Sequence, residues 1–190
     1  MQVVILAAGN GKRMGNLTRK VPKPMIKIKG KPILEHKIRA LPKEINEVIL
    51  VVGYRGGQIM DYFKKSFAGK KIRYFSQTEL NGTGGALHLV QSVLGERFLV
   101  MMGDDLYHKK DLKKLLKHEL GVLAHETKNP GMFGGLKTNR KGHLVEIIEK
   151  SKGSKHKLVN TGLYAMNRDF FKYDLVSIGK GEFGLPQTLA

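Results

Sequence analysis

Runs of consecutive apolar residues alternate with amphipathic stretches along the first two thirds of the chain. Three runs without a polar face predict strands, Gln2 to Ala8, Glu47 to Gly53 and Arg97 to Met102, and such strands are typical of a parallel sheet covered on both sides. Between them, apolar residues recur at helical spacing, at Leu34, Ile38 and Leu41 within Lys31 to Leu41, at Ile59, Met60, Phe63 and Phe67, and at Ala86, Leu87, Val90, Val93 and Leu94. Alternating strands and helices predict an α/β fold with right-handed crossovers.

The pattern changes after Val122. Three further strands are predicted, from Phe133 to Thr138, Leu144 to Glu149 and Leu158 to Met166, and glycine- and lysine-rich turns separate them. Strands joined by such turns favour antiparallel pairing. We therefore expect a mostly parallel central sheet with an antiparallel subregion.

Composition narrows the class of protein. At 190 residues and 41% hydrophobic content the chain is expected to form one domain. Its 34 Lys and Arg against 16 Asp and Glu give a net charge of +18, which predicts attraction to a polyanion: nucleotide phosphates, nucleic acid or anionic lipid. The absence of cysteine excludes disulfides and thiolate metal sites. No signal peptide or run of about 18 apolar residues is present, so a soluble cytoplasmic protein is expected.

A glycine-containing loop follows the first predicted strand. Gly9 and Gly11 let the main chain approach phosphate oxygens closely at the carboxyl edge of the sheet, where α/β folds bind ligands. The basic residues that follow supply positive charge for a triphosphate: Lys12, Arg13, Arg19 and Lys23. The loop is neither a Walker motif nor a dinucleotide fingerprint, so the glycines alone do not identify the ligand.

Two longer segments carry a family resemblance. LAAGNGKRMG, followed by VPKPMIKIKGKPIL, resembles the signature of the sugar-1-phosphate nucleotidyltransferases, the enzymes that make nucleotide sugars, with Lys12 where the family usually has threonine. The resemblance implies a Rossmann-like three-layer nucleotidyltransferase fold. It also implies a nucleotide-binding role for Leu6, Ala8, Gly9, Gly11 and Lys12.

Further motifs follow in the order of the family. Gln77 with the Gly82-Thr83-Gly84 segment resembles the base-reading segment of uridylyl and thymidylyl transferases, in which the glutamine amide offers a donor and an acceptor to a pyrimidine. Gly103-Asp104-Asp105 resembles the metal motif, which implies that Asp104 holds Mg²⁺.

The antiparallel region resembles the family's sugar-phosphate pocket. By that resemblance Gly134 and Asn160 contact the sugar, Glu149 accepts from ring hydroxyls and Lys150 faces the phosphate. Residues 1–125 would form a nucleotide-binding half and residues 126–190 a sugar-phosphate-binding half of one domain. The family also carries a second metal-binding Asp or Asn on a later strand, so we expect the metal site to be incomplete within these 190 residues.

The resemblance implies an Mg²⁺-dependent enzyme that joins a nucleoside triphosphate, UTP or dTTP, to a sugar-1-phosphate and releases pyrophosphate. Arg13, Lys23 and Asp104 would be its catalytic residues, and neither nucleic acid nor a membrane is an expected partner. Two alternatives stay open. One is a cytidylyl- or guanylyltransferase with a smaller acceptor, and the other is a catalytically silent regulatory or nucleic-acid-binding relative, which the charge of +18 would suit.

Each motif also has a structural interpretation. In that interpretation Asp104 and Asp105 only end a strand and cap a helix, and Thr83 and Gly84 only begin a helix. Gln77 taken alone is more often a surface residue. Their position in family order favours the functional interpretation.

Overall fold

The structure is a computed structural model that describes residues 1–148 and 157–189, apart from the side chains of Lys12, Arg13 and Met132. Its strands are β1 Gln2–Ala7, β2 Lys27–Ile28, β3 Lys31–Pro32, β4 Glu47–Val52, β5 Ser66–Phe67, β6 Lys70–Ser76, β7 Arg97–Met102, β8 Gly121–Glu126, β9 Gly135–Thr138, β10 Leu144–Ile148, β11 Leu158–Asn167, β12 Ser177–Gly179 and β13 Glu182–Phe183. The α-helices are α1 Ile33–Ala40, α2 Gly56–Phe63, α3 Gly82–His88, α4 Lys109–Leu115 and α5 Leu185–Leu189. Short 3₁₀ segments cover Lys12–Thr18, Lys23–Met25, Gln91–Val93, Pro130–Met132 and Arg168–Lys172.

A nine-stranded mixed sheet organises the described residues. Eight strands form the path β10-β9-β11-β7-β1-β4-β6-β5, and β8 pairs with β11 outside that path. The pairs β7-β1, β1-β4 and β4-β6 are parallel, whereas β11 runs antiparallel to β7, β8 and β9. The predicted mostly parallel sheet with an antiparallel subregion is thereby confirmed.

Helices cover both faces of the sheet because the central strands are apolar on both sides. Val3, Ile5 and Ala7 of β1 belong to a core cluster with residues of α1, α2 and α4. The alternate residues Val4 and Leu6 belong to a second cluster with α3 and α5. Successive side chains of a strand point to opposite faces, so one apolar run supplies both cores and gives the predicted three layers.

Two predicted helices end earlier in the structure than the apolar spacing suggested. The prediction that Phe67 continues the second helix was wrong: α2 stops at Phe63, Lys64 adopts φ of +53°, and Phe67 lies in β5. Phe67 still packs on Phe63, with ring centroids 4.9 Å apart. The apolar spacing therefore indicated that the two residues pack together, but not that they belong to one helix. Likewise α3 ends at His88, and of the predicted apolar positions beyond it Val93 lies in a 3₁₀ turn that Val90 and Leu94 flank.

Candidate active site

The carboxyl ends of β1 and β7 lie side by side. Leu6 pairs with Met102 in the parallel ladder, and the main-chain N–H of Gly103 donates to the carbonyl of Leu6 at 2.9 Å. The loop after β1 and the Gly103-Asp104-Asp105 turn after β7 therefore meet at one edge of the sheet. This edge is where open α/β sheets bind their ligands.

The loop after β1 is held in a conformation that suits glycine. Gly11 has φ of +63°, and a Cβ atom there would lie 2.9 Å from Cγ2 of the buried Thr18. The Thr18 hydroxyl donates to the carbonyl of Gly11 at 2.9 Å. The loop is thus closed on itself by Thr18, a contact that the glycine pattern did not predict.

Lys23 and Asp104 meet across this edge. Lys23 Nζ donates to Asp104 Oδ2 at 2.5 Å, and their side chains are 31% and 37% exposed. The two residues come from segments 81 positions apart in the chain. A cation and a carboxylate that both reach solvent are placed to exchange this mutual contact for phosphate oxygens and a metal ion.

Gln77 follows β6 and is buried, with 8% of its surface exposed. Its Nε2 donates to Asn81 Oδ1 at 2.8 Å and to the main-chain carbonyl of Gly82 at 3.1 Å. A carbonyl only accepts, so the nitrogen must face Gly82, and Oε1 is left without a partner among the described residues. We expected the Gln77 amide to offer a ligand both a donor and an acceptor. In this structure only the acceptor, Oε1, is available to a ligand.

Helix α3 begins beside Gln77 at a position that requires glycine. Gly82 has φ of +88°, and a Cβ atom there would lie 2.6 Å from the main-chain nitrogen of Phe183. The hydroxyl of Thr83 accepts from the N–H of Leu185 at 2.9 Å. The segment predicted to read a base therefore also anchors β13 and α5.

Gly134 and Asn160 meet on the opposite side of the cleft. The N–H of Asn160 donates to the carbonyl of Gly134 at 2.8 Å, and Asn160 Nδ2 donates to the Tyr164 hydroxyl at 2.7 Å. Asn160 Oδ1 accepts from the N–H of Gly162 at 2.9 Å. The Asn160 amide is thus held in one orientation by β11.

These segments line one cleft of about 680 Å³. The predicted site residues that line it are Leu6, Ala8, Gly9, Gly11, Lys23, Gln77, Gly82, Thr83, Asp104, Gly134 and Asn160. The side chains of Lys12 and Arg13, and the whole of Glu149 and Lys150, lie outside the described part of the structure. The volume of this cleft lies within the usual range of small-molecule sites, about 300–1,000 Å³.

Acidic residues at the end of β7 fit a hard cation that keeps phosphate and water ligands. Burial raises the pKa of the Asp105 carboxyl, and the neighbouring Asp104 carboxylate raises it further. Within residues 1–148 and 157–189, no group of three or more His, Cys, Asp or Glu side chains could enclose a metal ion. Mg²⁺ is commonly held by one or two carboxylates together with substrate phosphates, so Asp104 and Asp105 suit Mg²⁺ brought in by a triphosphate.

Part of the cleft wall was missed by sequence reasoning. Glu182 and Pro186, from β13 and α5, also line the cleft. The N–H of Phe183 donates to the carbonyl of Asn81 at 2.8 Å, which ties this segment to α3. The strands of the β12-β13 hairpin are only three and two residues long, too short for a periodic signal.

Comparison with known proteins identifies the family. The model of the nucleotidyl transferase family matches residues 2–182. The chain therefore belongs to that family, as the LAAGNGKRMG and VPKPM motifs suggested.

Curated relatives include a bifunctional protein and a sugar-phosphate guanylyltransferase. The bifunctional protein GlmU of Methanocaldococcus jannaschii is 37% identical over 172 residues, which are 90% of this chain and 41% of that protein. The D-glycero-alpha-D-manno-heptose 1-phosphate guanylyltransferase of Campylobacter jejuni is 36% identical over 173 residues, 90% of this chain and 78% of that protein. The chain spans under half the length of the GlmU relatives it matches.

Solved structures agree with the fold. A UDP-glucose pyrophosphorylase complexed with UDP-glucose superimposes with a TM-score of 0.84 at 20% identity, covering 99% of this chain and 84% of the other. At this identity the match concerns the fold alone.

Among the described residues, every helix is too short or too polar to cross a bilayer.

Proposed function

We propose that the chain catalyses nucleotidyl transfer from a nucleoside triphosphate to a sugar-1-phosphate. The observation that carries the proposal is the convergence of Lys23, Asp104, Gln77 and the Gly134-Asn160 pair on one cleft. In the reaction, a phosphate oxygen of the sugar-1-phosphate bonds to the α-phosphorus. The bond from that phosphorus to the β-phosphate oxygen breaks, and pyrophosphate leaves with the electron pair.

This chemistry needs charge neutralisation more than a strong base. A phosphate monoester has its second pKa near about 6, so the nucleophile is already largely ionised at neutral pH. We propose that Lys23 contacts the α-phosphate and the sugar phosphate, that Arg13 binds the β- and γ-phosphates, and that Asp104 holds Mg²⁺. When bound, Mg²⁺ would offset the negative charge of the triphosphate and of the leaving pyrophosphate.

Each proposed half of the domain would bind one of the two substrates. Residues 1–125 would hold the nucleotide, through Gly9, Gly11, Lys12 and the Gln77 segment. Residues 126–190 would hold the sugar phosphate, with Glu149 and Lys150 completing the contacts of Gly134 and Asn160.

The orientation of Gln77 supports a proposal for the base. Because its two amide hydrogens are used within the protein, only Oε1 is free to accept from a base. Uracil, thymine and guanine can donate a ring N–H to Oε1, whereas cytosine and adenine, whose corresponding ring nitrogens are acceptors, can donate only from an exocyclic amino group. We therefore propose UTP or dTTP as the donor, in agreement with the resemblance of the Gln77 segment to uridylyl and thymidylyl transferases.

GTP is the second candidate. Guanine also satisfies the Gln77 acceptor, and the relative from Campylobacter jejuni, which the match covers over 78% of its length, is named a guanylyltransferase. For cytidylyl transfer, Oε1 would have to accept from the exocyclic amino group of cytosine instead of a ring N–H.

The test is pyrophosphate release from five nucleoside triphosphates, each paired with a panel of sugar-1-phosphates in the presence of Mg²⁺. We expect release with UTP or dTTP, with GTP as the second-best donor, and background release with CTP and ATP. Gln77→Glu is the informative variant because it keeps the acceptor but loses the donors to Asn81 and Gly82. Activity confined to CTP or ATP would refute the base assignment, and a blank matrix for the wild-type chain would refute the proposed function.

A further inference from the structure

Lys37 lies on the inner face of α1 and is only 2% exposed. It falls between Leu34 and Ile38, on the stripe of the helix that packs against the sheet, where an apolar residue is expected. An isolated ammonium in such a place costs several kcal/mol unless it is well paired. The position therefore requires an explanation beyond packing.

Main-chain carbonyls of the β7 turn receive the buried ammonium. Lys37 Nζ donates to the carbonyl of Met102 and to the carbonyl of Asp105, the latter at 2.8 Å, and lies 4.8 Å from the ring centroid of Tyr107. No carboxylate of the described residues lies within ion-pair distance of Lys37. The two acceptors flank Gly103 and Asp104, so the lysine spans the turn that carries the proposed metal ligand.

The surroundings of the ammonium agree with this geometry. Burial lowers the pKa of Lys37 to about 8, and the nearby carboxylates of Asp105 and Asp104 oppose that decrease. The cation thus contributes positive potential from inside the protein, and Lys37 is not among the residues that line the cleft.

We propose that Lys37 is a positioning residue for the active site: by joining the carbonyls of Met102 and Asp105, it fixes the turn that presents Asp104 to Lys23 and to a metal-bound triphosphate. The proposal rests on the proposed function for its catalytic part. A residue that only fills the core would leave the turn and the metal requirement unchanged when it is replaced by an apolar side chain of similar length.

The chain supplies a matched control in Lys70. This lysine is also buried, at 9% exposure, and its Nζ also donates to two main-chain carbonyls, Pro42 at 2.9 Å and Ile45 at 2.5 Å. It lies at the start of β6, at the amino edge of the parallel sheet and so at the end opposite to the cleft. Loss of Lys70 therefore removes an equivalent buried contact without touching the Asp104 turn.

The first measurement compares Lys37→Met with Lys70→Met by steady-state kinetics across a Mg²⁺ titration, below the unfolding temperature of both variants. We expect Lys37→Met to lower kcat, or to raise the Mg²⁺ concentration at half-maximal rate, by about 10-fold, because loss of an outer partner of a metal ligand commonly costs about 10- to 100-fold. The KM for the triphosphate should change less than kcat. Lys70→Met should keep wild-type kinetics and lose only stability.

The second measurement does not depend on activity. Amide hydrogen exchange of the 102–106 segment should be faster in Lys37→Met and unchanged in Lys70→Met, since the Gly103 N–H is protected by its bond to Leu6. If Lys37→Met does not fold, Lys37→Leu, which also lacks the N–H donors, is measured in the same way. Wild-type exchange in the Lys37 variant, or kinetics equal to those of Lys70→Met in an active enzyme, would overturn the proposal. A wild-type chain that is inactive with every substrate pair would refute the proposed function instead, and exchange alone would then decide whether Lys37 fixes the turn.

Discussion

At the scale of single residues, Asp104 has the clearest expected effect. Asp104→Asn removes the carboxylate charge that pairs with Lys23 and that would hold Mg²⁺, while its shape is kept. We expect turnover to fall on the order of 10²-fold or more, as for other groups that stabilise charge in a transition state. The measurement is kcat for pyrophosphate release at saturating Mg²⁺.

The control for Asp104→Asn is Asp61→Asn. Asp61 is 85% exposed on α2 and forms only a long ion pair with Lys64, at 3.9 Å, so its loss should leave turnover unchanged. Near-normal turnover of Asp104→Asn would remove Asp104 from the catalytic residues.

Single residues were predictable where a motif fixed them. Lys23 and Asp104 come from ordered motifs, and the structure brings them into contact. Lys37 was not predicted because a lysine in a helix is normally assigned to the solvated face. Its place in the sequence carried a signal, however, since positions 34, 37, 38 and 41 form one stripe and only one of them is polar.

At the scale of elements, α1 and α2 are joined by a pH-sensitive contact. The Tyr62 hydroxyl donates to Glu35 Oε2 at 2.5 Å, and Arg39 Nε donates to Glu35 Oε1 at 2.7 Å. The hydrogen bond from Tyr62 is the main reason that the pKa of Glu35 is below its ordinary value of 4.5, with burial opposing it and Arg39 adding to it. The carboxylate is thus the form that the folded protein favours.

This contact predicts the acid response of Tyr62→Phe. At pH 7 we expect the free energy of unfolding to fall by about 1 kcal/mol, below the usual range of about 1.5–3 kcal/mol for a hydrogen bond to a charged group, because Tyr62 is 41% exposed. A group with a lowered folded pKa stabilises fully above its unfolded pKa and loses that contribution as pH falls through the folded pKa. The difference between variant and wild type should therefore shrink below about pH 4.5, the unfolded value.

Urea denaturation at neutral and acidic pH checks the expectation. Tyr173→Phe serves as the control, since Tyr173 is 65% exposed and its loss should change stability little at either pH. An equal loss for Tyr62→Phe at both pH values would show that the Glu35 carboxylate is not the source of the stabilisation.

Elements were predictable from the sequence where burial was uniform. The three central parallel strands end within a residue of their predicted bounds, since an apolar run leaves little choice of structure. Strand β6, KKIRYFS, was not predicted, because its charged residues break the apolar run. In the structure its residues from Lys71 to Ser76 nevertheless pair with the whole of β4. Pairing with a neighbour outweighs local composition in such a strand.

At the scale of the whole molecule, the net charge of +18 predicts different responses to salt for the proposed enzyme and for a nucleic-acid-binding relative. Both proteins would attract polyanions. The enzyme, however, would draw a small anion into one cleft, which is lined by the partly exposed Lys23. Long-range attraction of this kind is screened by salt, since the Debye length falls from about 10 Å at 0.1 M to about 3 Å at 1 M.

We therefore expect the KM for the triphosphate to rise steadily between about 0.1 M and about 1 M salt. The kcat should change little, because direct contacts inside the cleft are screened much less than the long-range attraction. The measurement is initial rate against triphosphate concentration at several ionic strengths, with generic RNA as a competitor at the lowest. In the enzyme, RNA should compete weakly and lose its effect at the salt where KM has only begun to rise, since binding through many phosphates falls more steeply with salt than binding of one triphosphate. A KM that is insensitive to salt, together with tight RNA binding at low salt that is lost steeply as the salt concentration rises, would mean that the positive charge serves a nucleic-acid surface and not the cleft.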